Sequence, residues 1–251
     1  MEQSVLFWVL SGCAVILTGI SKGGFGGLTL LAVPLMALVM PPTQAASIML
    51  PILIVMDMFS LHAYRKYFKR DILWLMLPAA IVGIAIGGLF TRKVSDDDVR
   101  LAVGLIAVLF SLYSGVRLLR GTENITPLWA QNKWIGRLAG MTSGLTSFFA
   151  HAGGPPFKIY VLPQKLESKI FVGTSVMFFA VVNVVKLIPY AMLGQLGVSN
   201  LTASLYLIPL APVGVWIGVW GIKRLPVQTF YKITYLLIFC VGLRLLYRGL
   251  I

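Results

Sequence analysis

The sequence predicts an all-α integral membrane protein that forms one transmembrane domain over residues 1–251, built from two repeated halves of opposite orientation. Hydrophobic residues make up 58% of the 251 positions and charged residues only 12%, with a mean hydropathy of +0.89. A typical soluble domain carries about twice that charged share. Two glycine-rich breaks interrupt long apolar stretches, and short motifs recur about 130 residues apart. An ordinary soluble fold is thereby excluded.

Six segments are long and apolar enough to cross a hydrocarbon core of about 30 Å as single helices. They are residues 44–61, 72–90, 99–118, 170–190, 201–220 and 230–247. Trp74 and Trp220 lie near segment ends, where the aromatic belts of membrane interfaces are found.

Two further apolar regions are too long or too irregular for one crossing. Residues 5–40 are interrupted by the glycine-rich stretch 21–27, and residues 134–163 by the stretch 151–156, which carries two glycines and two prolines. Glycine and proline interrupt helices, so each region predicts a hairpin of two short helices around a break. Broken backbone at membrane depth must line a cavity or be buried in protein.

The two halves of the chain share motifs. Residues 77–87 match residues 208–218, with one proline and two glycines coinciding, and residues 115–121 match 242–249 with one insertion. The Gly23-Gly24 pair likewise matches Gly153-Gly154. We therefore expect a first repeat over about residues 1–121 and a second over about 132–251, each a broken-helix hairpin followed by three transmembrane helices. The paired glycines Gly83 with Gly87 and Gly214 with Gly218 are expected to allow close helix packing.

The distribution of the 21 Lys and Arg residues orients these halves. If each broken region made a single crossing, basic residues outside the membrane would divide 10 to 8 between the faces, whereas hairpins that return to their own side give 13 to 5. The larger set is Arg65, Lys66, Lys69, Arg70, Arg117, Arg120, Lys133, Arg137, Lys165, Lys169, Lys223, Arg224 and Lys232. The positive-inside rule makes that face cytoplasmic, so the net charge of +13 does not require a nucleic acid partner.

Three lysines, Lys22, Lys158 and Lys186, fall inside the apolar regions. An intramembrane charge normally faces a cavity or a partner, and cations beside glycine amides and helix N-termini favour an anion. Snorkelling of each lysine to an interface is the structural alternative. The expected substrate-binding residues are Lys22, Gly23, Gly24, Gly26, Gly27, His151, Gly153, Gly154, Lys158, Asn183 and Lys186.

Asp57 is the acid within an apolar helix segment, and in the repeat alignment it falls opposite Asn183. It is a candidate for pairing with an intramembrane lysine or for carrying a proton, and a purely structural ion pair is the alternative. His151 in the second break is a candidate for binding an oxyanion or for titrating during transport, against a role as an ordinary satisfied polar residue.

The chain offers little for catalysis or cofactor binding. It has two cysteines, Cys13 and Cys240, each within an apolar stretch, two histidines and no carboxylate cluster. We therefore expect no catalytic residues, no metal site and no cofactor, and predict that the protein is not an enzyme.

A family resemblance rests on the first break and the residues after it. Ser21-Lys22-Gly23-Gly24-Phe25-Gly26-Gly27, then Val33-Pro34 and Pro41-Pro42-Thr43-Gln44, resemble the TauE/SafE family of sulfite and organosulfonate exporters. The second repeat carries a comparable block at residues 151–156 and 173–175, departing from the family pattern at Pro155-Pro156 and His151. The resemblance implies a bacterial inner-membrane permease for sulfite or a small sulfonate such as sulfoacetate.

The expected function is a multi-pass secondary transporter that exports a small anion by alternating access around the two breaks. An anion channel, or an uptake permease for a related anion, would use the same residues and stays open as an alternative. The expected partners are the anionic substrate and the lipid bilayer, and a homo-oligomer is compatible with the sequence.

Overall fold

The computed structural model describes residues 4–25, 28–120, 132–221 and 227–251, and this part of the chain is built from helices and turns. The helices are α1 (Val5–Ile20), α2 (Ala32–Met36), α3 (Pro42–Tyr64), α4 (Arg70–Phe90), α5 (Asp96–Arg120), α6 (Lys133–Ala150), α7 (Gly154–Val161), α8 (Ser168–Met192), α9 (Val198–Leu207), α10 (Leu210–Gly221) and α11 (Val227–Leu250).

Five helical segments of the described chain are long and apolar enough to cross a membrane: α1 extended to Gly23, α3, α4, α5 up to Arg117, and α8 from Lys169. The predicted straight crossing over residues 201–220 is wrong in one respect, because α9 and α10 meet at an angle of 43°. Pro209 lies at this bend and has no N–H to donate to the preceding turn. Counting the bent pair as one crossing gives six candidate spans.

Both predicted breaks are present. After α1 the chain forms a π-helical turn, Ser21–Phe25, and a 3₁₀ turn, Leu28–Leu31, leads into α2; this second arm packs along α1. The second break is shorter than expected, since Pro155 and Pro156 belong to the start of α7. Proline is tolerated there because the first turn of a helix needs no N–H bonds.

Close helix pairs place glycine against backbone. Helix α4 packs against α6, where a Cβ on Gly83 would overlap the Met141 carbonyl oxygen, and α1 packs against α10, where a Cβ on Gly214 would lie 2.8 Å from the Ile16 carbonyl oxygen. The interpretation of the paired glycines as packing positions is confirmed. Helices α3 and α8 form another contact pair, as do α5 and α11.

Contacts between loops define two ends of the helix bundle. At one end, the Lys69 amide N–H donates to Thr174 Oγ1 at 2.9 Å, and the Lys169 ammonium lies 5.7 Å from the Tyr67 ring centroid. We call this the basic end, formed by residues 65–70 and 165–174. At the other end, which we call the opposite end, Arg248 donates to the Leu38 carbonyl at 2.7 Å and Gln44 to Asn200 at 3.4 Å.

The outer surface of the bundle is apolar. Trp74 and Trp134 are 79% and 70% exposed near the basic end, and Arg137 lies over the Trp134 ring. Large aliphatic side chains are exposed along the helices between the ends. Exposed apolar side chains around a helical bundle, with aromatic side chains near its ends, are typical of a lipid-facing surface. The lengths of the helices and the apolar surface both identify the described chain as a multi-pass membrane protein.

Candidate functional site

Polar side chains from both halves of the chain meet in the interior of the bundle. Lys22 comes from the π-helical turn, Asp57 from the middle of α3, Asn183 and Lys186 from α8, and His151 from the second break. All five are largely buried: Lys186 is 0% exposed, and the Lys22 side chain, at 10%, is the most accessible. We call these five residues together with Ser147 the polar cluster.

The first part of the cluster is an ion pair with a third partner. The Lys22 ammonium bonds to Asp57 Oδ1, and Asn183 Nδ2 donates to Asp57 Oδ2 at 2.7 Å. Both carboxylate oxygens are thus occupied by donors, and the charge of Lys22 is balanced by that of Asp57. A buried ion pair with its remaining lone pairs satisfied is the arrangement that tolerates removal from water.

The second part of the cluster holds a lysine on neutral acceptors. Lys186 Nζ donates to the Ser147 carbonyl at 3.0 Å and to Ser147 Oγ at 3.1 Å, and it lies 2.6 Å from His151 Nδ1. These three contacts use all three donors of an ammonium group. Among the described residues, the ion pairs are Lys22 with Asp57 and two pairs outside the cluster, so Lys186 faces no carboxylate at ion-pair distance.

The partners of His151 assign its tautomer. Its Nε2 lies 2.8 Å from the Ala46 carbonyl oxygen, which only accepts, so Nε2 carries the hydrogen. Its Nδ1 faces the Lys186 ammonium, which only donates, so Nδ1 accepts. The ring is neutral in this arrangement, because a hydrogen on both nitrogens would point one of them at Lys186.

The formal charge of the polar cluster follows from these assignments. Lys22 and Lys186 contribute two positive charges, Asp57 one negative charge, and His151 none, which leaves a net charge of +1. A buried and unbalanced positive charge is costly unless an anion joins it.

Local backbone geometry positions the second break. His151 ends α6 with φ at 53°, the left-handed conformation, and this turns the chain back toward α7. Ser143 Oγ then donates to the Gly153 carbonyl at 2.7 Å, and Thr146 Oγ1 to the Ala152 carbonyl at 3.1 Å. The conformation of the break is therefore stabilised by α6 side chains that donate hydrogen bonds to the carbonyl groups of the break.

Sequence reasoning missed Ser147 and its neighbour Ser143. Both precede His151 on α6 at intervals of four residues, so Ser143, Ser147 and His151 lie along one face of the helix. Polar residues at every fourth position of an apolar helix were the sequence pattern that could have identified these two serines. No sequence pattern could have identified the Ala46 carbonyl, because every residue has a main-chain carbonyl group.

The predicted glycines differ in their surroundings. A Cβ on Gly23 would lie 2.6 Å from the Val215 carbonyl oxygen, and one on Gly153 would lie 2.6 Å from the Ser143 carbonyl oxygen, so both are packed against backbone. Gly154 has open space at the Cβ position. Gly24 lies in the π-helical turn, while Gly26 and Gly27 fall outside the described residues.

The start of α7 offers fewer N–H donors than a helix N-terminus usually does. Pro155 and Pro156 have no N–H, and the Phe157 N–H bonds to the Gly153 carbonyl. The first break leads into α2, which has only five residues. The donors of the polar cluster are therefore chiefly side chains, where the sequence led us to expect main-chain amides as well.

Lys158 lies apart from the polar cluster. It is half-buried on α7, and its ammonium group forms no hydrogen bond or ion pair with any described residue. Its helix neighbours Ile159 and Leu162 are exposed at the bundle surface. The structure therefore brings Lys22, His151, Asn183 and Lys186 together, and leaves Lys158 outside the group.

An aromatic contact lies one turn beyond Lys186 toward the opposite end. Tyr190 OH donates to the Phe148 carbonyl at 2.5 Å, and the two rings meet edge to face with centroids 5.2 Å apart. Both side chains are buried. The cavity beside them, lined by Thr43, Ala46, Thr91, Phe148, Phe149, Tyr190 and Gln195, has a volume of about 10 Å³, enough for about one water molecule.

No group of three or more His, Cys, Asp or Glu side chains that would hold a metal ion is present within the described ranges. The chain matches the family model of the sulfite exporter TauE/SafE over residues 11–245. No curated protein and no solved structure matches the chain.

Proposed function

Because the chain belongs to the TauE/SafE family of sulfite exporters, a family of membrane anion transporters, we propose that it exports sulfite or a small organosulfonate such as sulfoacetate. The proposed location is the bacterial inner membrane. The observation that carries the proposal is Lys186, a buried lysine whose three donors rest on neutral acceptors.

The substrate anion is proposed to bind against Lys186. An oxyanion brought to Lys186 replaces neutral acceptors by a negative charge, and it brings the net charge of the polar cluster from +1 to zero or below. Ser147 Oγ and Nδ1 of His151 lie beside the same ammonium group. In this proposal Lys22 and Asn183 contribute indirectly, by holding Asp57 away from Lys186.

The mechanism we propose is alternating access within an inverted repeat. The contacts between helices support it: α1 packs on α10 as its repeat equivalent α6 packs on α4, while α3 pairs with its equivalent α8 and α5 with α11. Asp57 and Asn183, which align between the repeats, hydrogen-bond each other. Equivalent residues that touch are expected on an axis relating two halves.

The conformation described is closed toward the opposite end. The Tyr190 to Phe148 bond and the cavity of about 10 Å³ beside it leave no room for a sulfonate group. We propose that separation of Tyr190 from Phe148 opens the site on that side. The basic end is assigned to the cytoplasm by the positive-inside rule, so this opening faces away from the cytoplasm.

The test of function is flux through the purified protein in proteoliposomes. Labelled sulfite and sulfoacetate are expected to show saturable flux that accelerates when unlabelled substrate is present on the far side, while an unrelated neutral solute shows none. Current that does not saturate would favour an anion channel instead. Accumulation of sulfite against its own gradient when an inward proton or sodium gradient is imposed would favour an uptake permease.

Cysteine labelling tests the proposed topology. Cys13 and Cys240 are first replaced by alanine, and single cysteines are then introduced as Lys66→Cys and Gln195→Cys. Lys66 lies in the basic end, and Gln195 follows α8 at the opposite end. An impermeant thiol reagent added outside cells is expected to label position 195 only. Labelling of both positions from the same side would contradict the proposed hairpins.

A further inference from the structure

The charge of the polar cluster defines how much negative charge it can neutralise. With His151 neutral, one positive charge, that of Lys186, has no counter-charge. A singly charged anion therefore brings the net charge of the polar cluster to zero. A doubly charged anion brings it to −1 and leaves one negative charge buried and unpaired. Buried unpaired charge is strongly disfavoured in a low-dielectric interior.

His151 is the group placed to change this balance. Its Nε2–H is fixed by the Ala46 carbonyl, and its Nδ1 is free to take a proton only if Lys186 stops donating to it. An anion that draws Lys186 away makes that change possible, and the protonated Nδ1–H then becomes a second donor toward the anion. The proton comes from a hydronium ion of the aqueous phase: one of its O–H bonds breaks, an N–H bond forms at Nδ1, and water is released.

We propose that the site selects its substrate by charge: a singly charged oxyanion binds with Lys186 alone, and a doubly charged one binds only together with a proton on His151. This inference rests on the proposed function and names the charge class of its substrate. The titratable groups that face His151 and Lys186 are Lys22 in the π-helical turn, Asp57 on α3 and Tyr190 on α8. Lys22 and Asp57 are paired with each other, and Tyr190 already donates to Phe148.

Two sulfonates of fixed charge test the proposal. Ethanesulfonate carries one negative charge and ethane-1,2-disulfonate carries two, and neither titrates between pH 6 and pH 8, so any effect of pH belongs to the protein. In proteoliposomes, ethanesulfonate flux is expected to be nearly constant across this range, while disulfonate flux rises as the pH falls. At pH 8 the singly charged compound is expected to be favoured by about tenfold. Labelled sulfite, measured in parallel, should follow the concentration of its singly charged form.

Variants that change the charge of the polar cluster test whether the preference between the two sulfonates depends on their charge or on their shape. His151→Gln keeps an acceptor for Lys186 and a donor for Ala46 but takes no proton, so the ratio of disulfonate flux to ethanesulfonate flux should no longer rise as the pH falls, whatever the absolute rates. Asp57→Asn raises the net charge to +2 and should improve disulfonate over ethanesulfonate by about tenfold at pH 8. The double variant Lys22→Gln with Asp57→Asn returns the charge to +1 and should restore the original preference.

The outcomes separate this inference from the proposed function. Equal or faster flux of the disulfonate at pH 8 in the unaltered protein would overturn the charge rule while leaving anion transport intact. The rule would also be overturned if the double variant kept the preference of Asp57→Asn, since the charge is then not the cause. If Asp57→Asn does not fold, His151→Gln and the double variant still decide the question. Absence of saturable flux for sulfite and for both sulfonates would instead contradict the proposed function, and this inference with it.

Discussion

Lys22 at the first break lies against a carboxylate, whereas Lys186 beside the second break lies against a serine and a neutral histidine. Lys186 is fully buried and the Lys22 side chain is 10% exposed, both occur in the interior of the bundle, and both donate to protein acceptors. The difference between them is the charge of the partner. Lys22 is one member of an ion pair, and Lys186 is an unbalanced cation.

We propose that this difference separates a structural role from a binding role. An ion pair that also satisfies Asn183 holds α3, α8 and the π-helical turn in one arrangement, and its two charges balance each other. A cation on neutral acceptors gains electrostatic energy when an anion replaces one of them. In this proposal, the ion pair at the first break fixes the helix positions, and Lys186 beside the second break attracts the anion.

The largest expected effect is on stability, and its size differs between the two lysines. Lys22→Met leaves the Asp57 carboxylate buried without its counter-charge and is expected to destabilise the protein by about 3–5 kcal/mol. Lys186→Met removes an unbalanced charge and is expected to cost far less. The thermal unfolding midpoint of each purified variant in detergent provides the measurement.

The double variant Lys22→Met with Asp57→Asn is the control for that comparison. It removes both charges and keeps an acceptor for Asn183, so it should recover most of the stability lost in Lys22→Met. Equal losses for Lys22→Met and Lys186→Met would contradict the division of roles. It would mean that Lys186 also balances a buried negative charge.

Transport is expected to depend most on Lys186. Lys186→Gln keeps a donor for Ser147 but removes the positive charge, and sulfite flux at subsaturating concentration should fall by about 100-fold. Lys169→Gln, on the same helix but exposed at the basic end, is the matched control and should leave flux unchanged. Initial rates in proteoliposomes at equal protein content measure both. Comparable loss in the two variants would indicate general damage to α8.

The glycines of the two breaks provide a smaller contrast. Gly23→Ala forces a Cβ against the Val215 carbonyl on α10 and is expected to destabilise the protein by about 1–3 kcal/mol. Gly154→Ala meets open space and adds a good helix former at the start of α7, so its stability should be nearly unchanged. Unfolding midpoints of the two variants decide. A large loss in Gly154→Ala would show that this glycine has a role other than packing.

The sequence predicted the helical membrane fold and both breaks, because these depend on residue types at regular spacing, and it offered the pairing of Asp57 with an intramembrane lysine as one of two candidates, beside proton transfer. It did not predict which lysine would pair with Asp57. That choice depends on the packing of α1 against α10 and of α3 against α8, which brings the π-helical turn to the middle of α3. The length of the second break was also wrong, since proline at a helix start and proline in a break look alike in sequence.

The smallest expected effect concerns Lys158, and it tests whether a lysine close to a break in sequence belongs to the site. Lys158 follows Gly153-Gly154 but lies on α7 beside exposed apolar side chains, without a described bonding partner. Its aliphatic stem and charged end suit a side chain that reaches from an apolar surface toward water. Lys158→Gln is therefore expected to change sulfite flux by less than about twofold, against about 100-fold for Lys186→Gln. A loss of flux in Lys158→Gln as large as that in Lys186→Gln would mean that Lys158 also contacts the anion. The site would then hold two cations without a counter-charge, and the contrast drawn between Lys22 and Lys186 would no longer describe it.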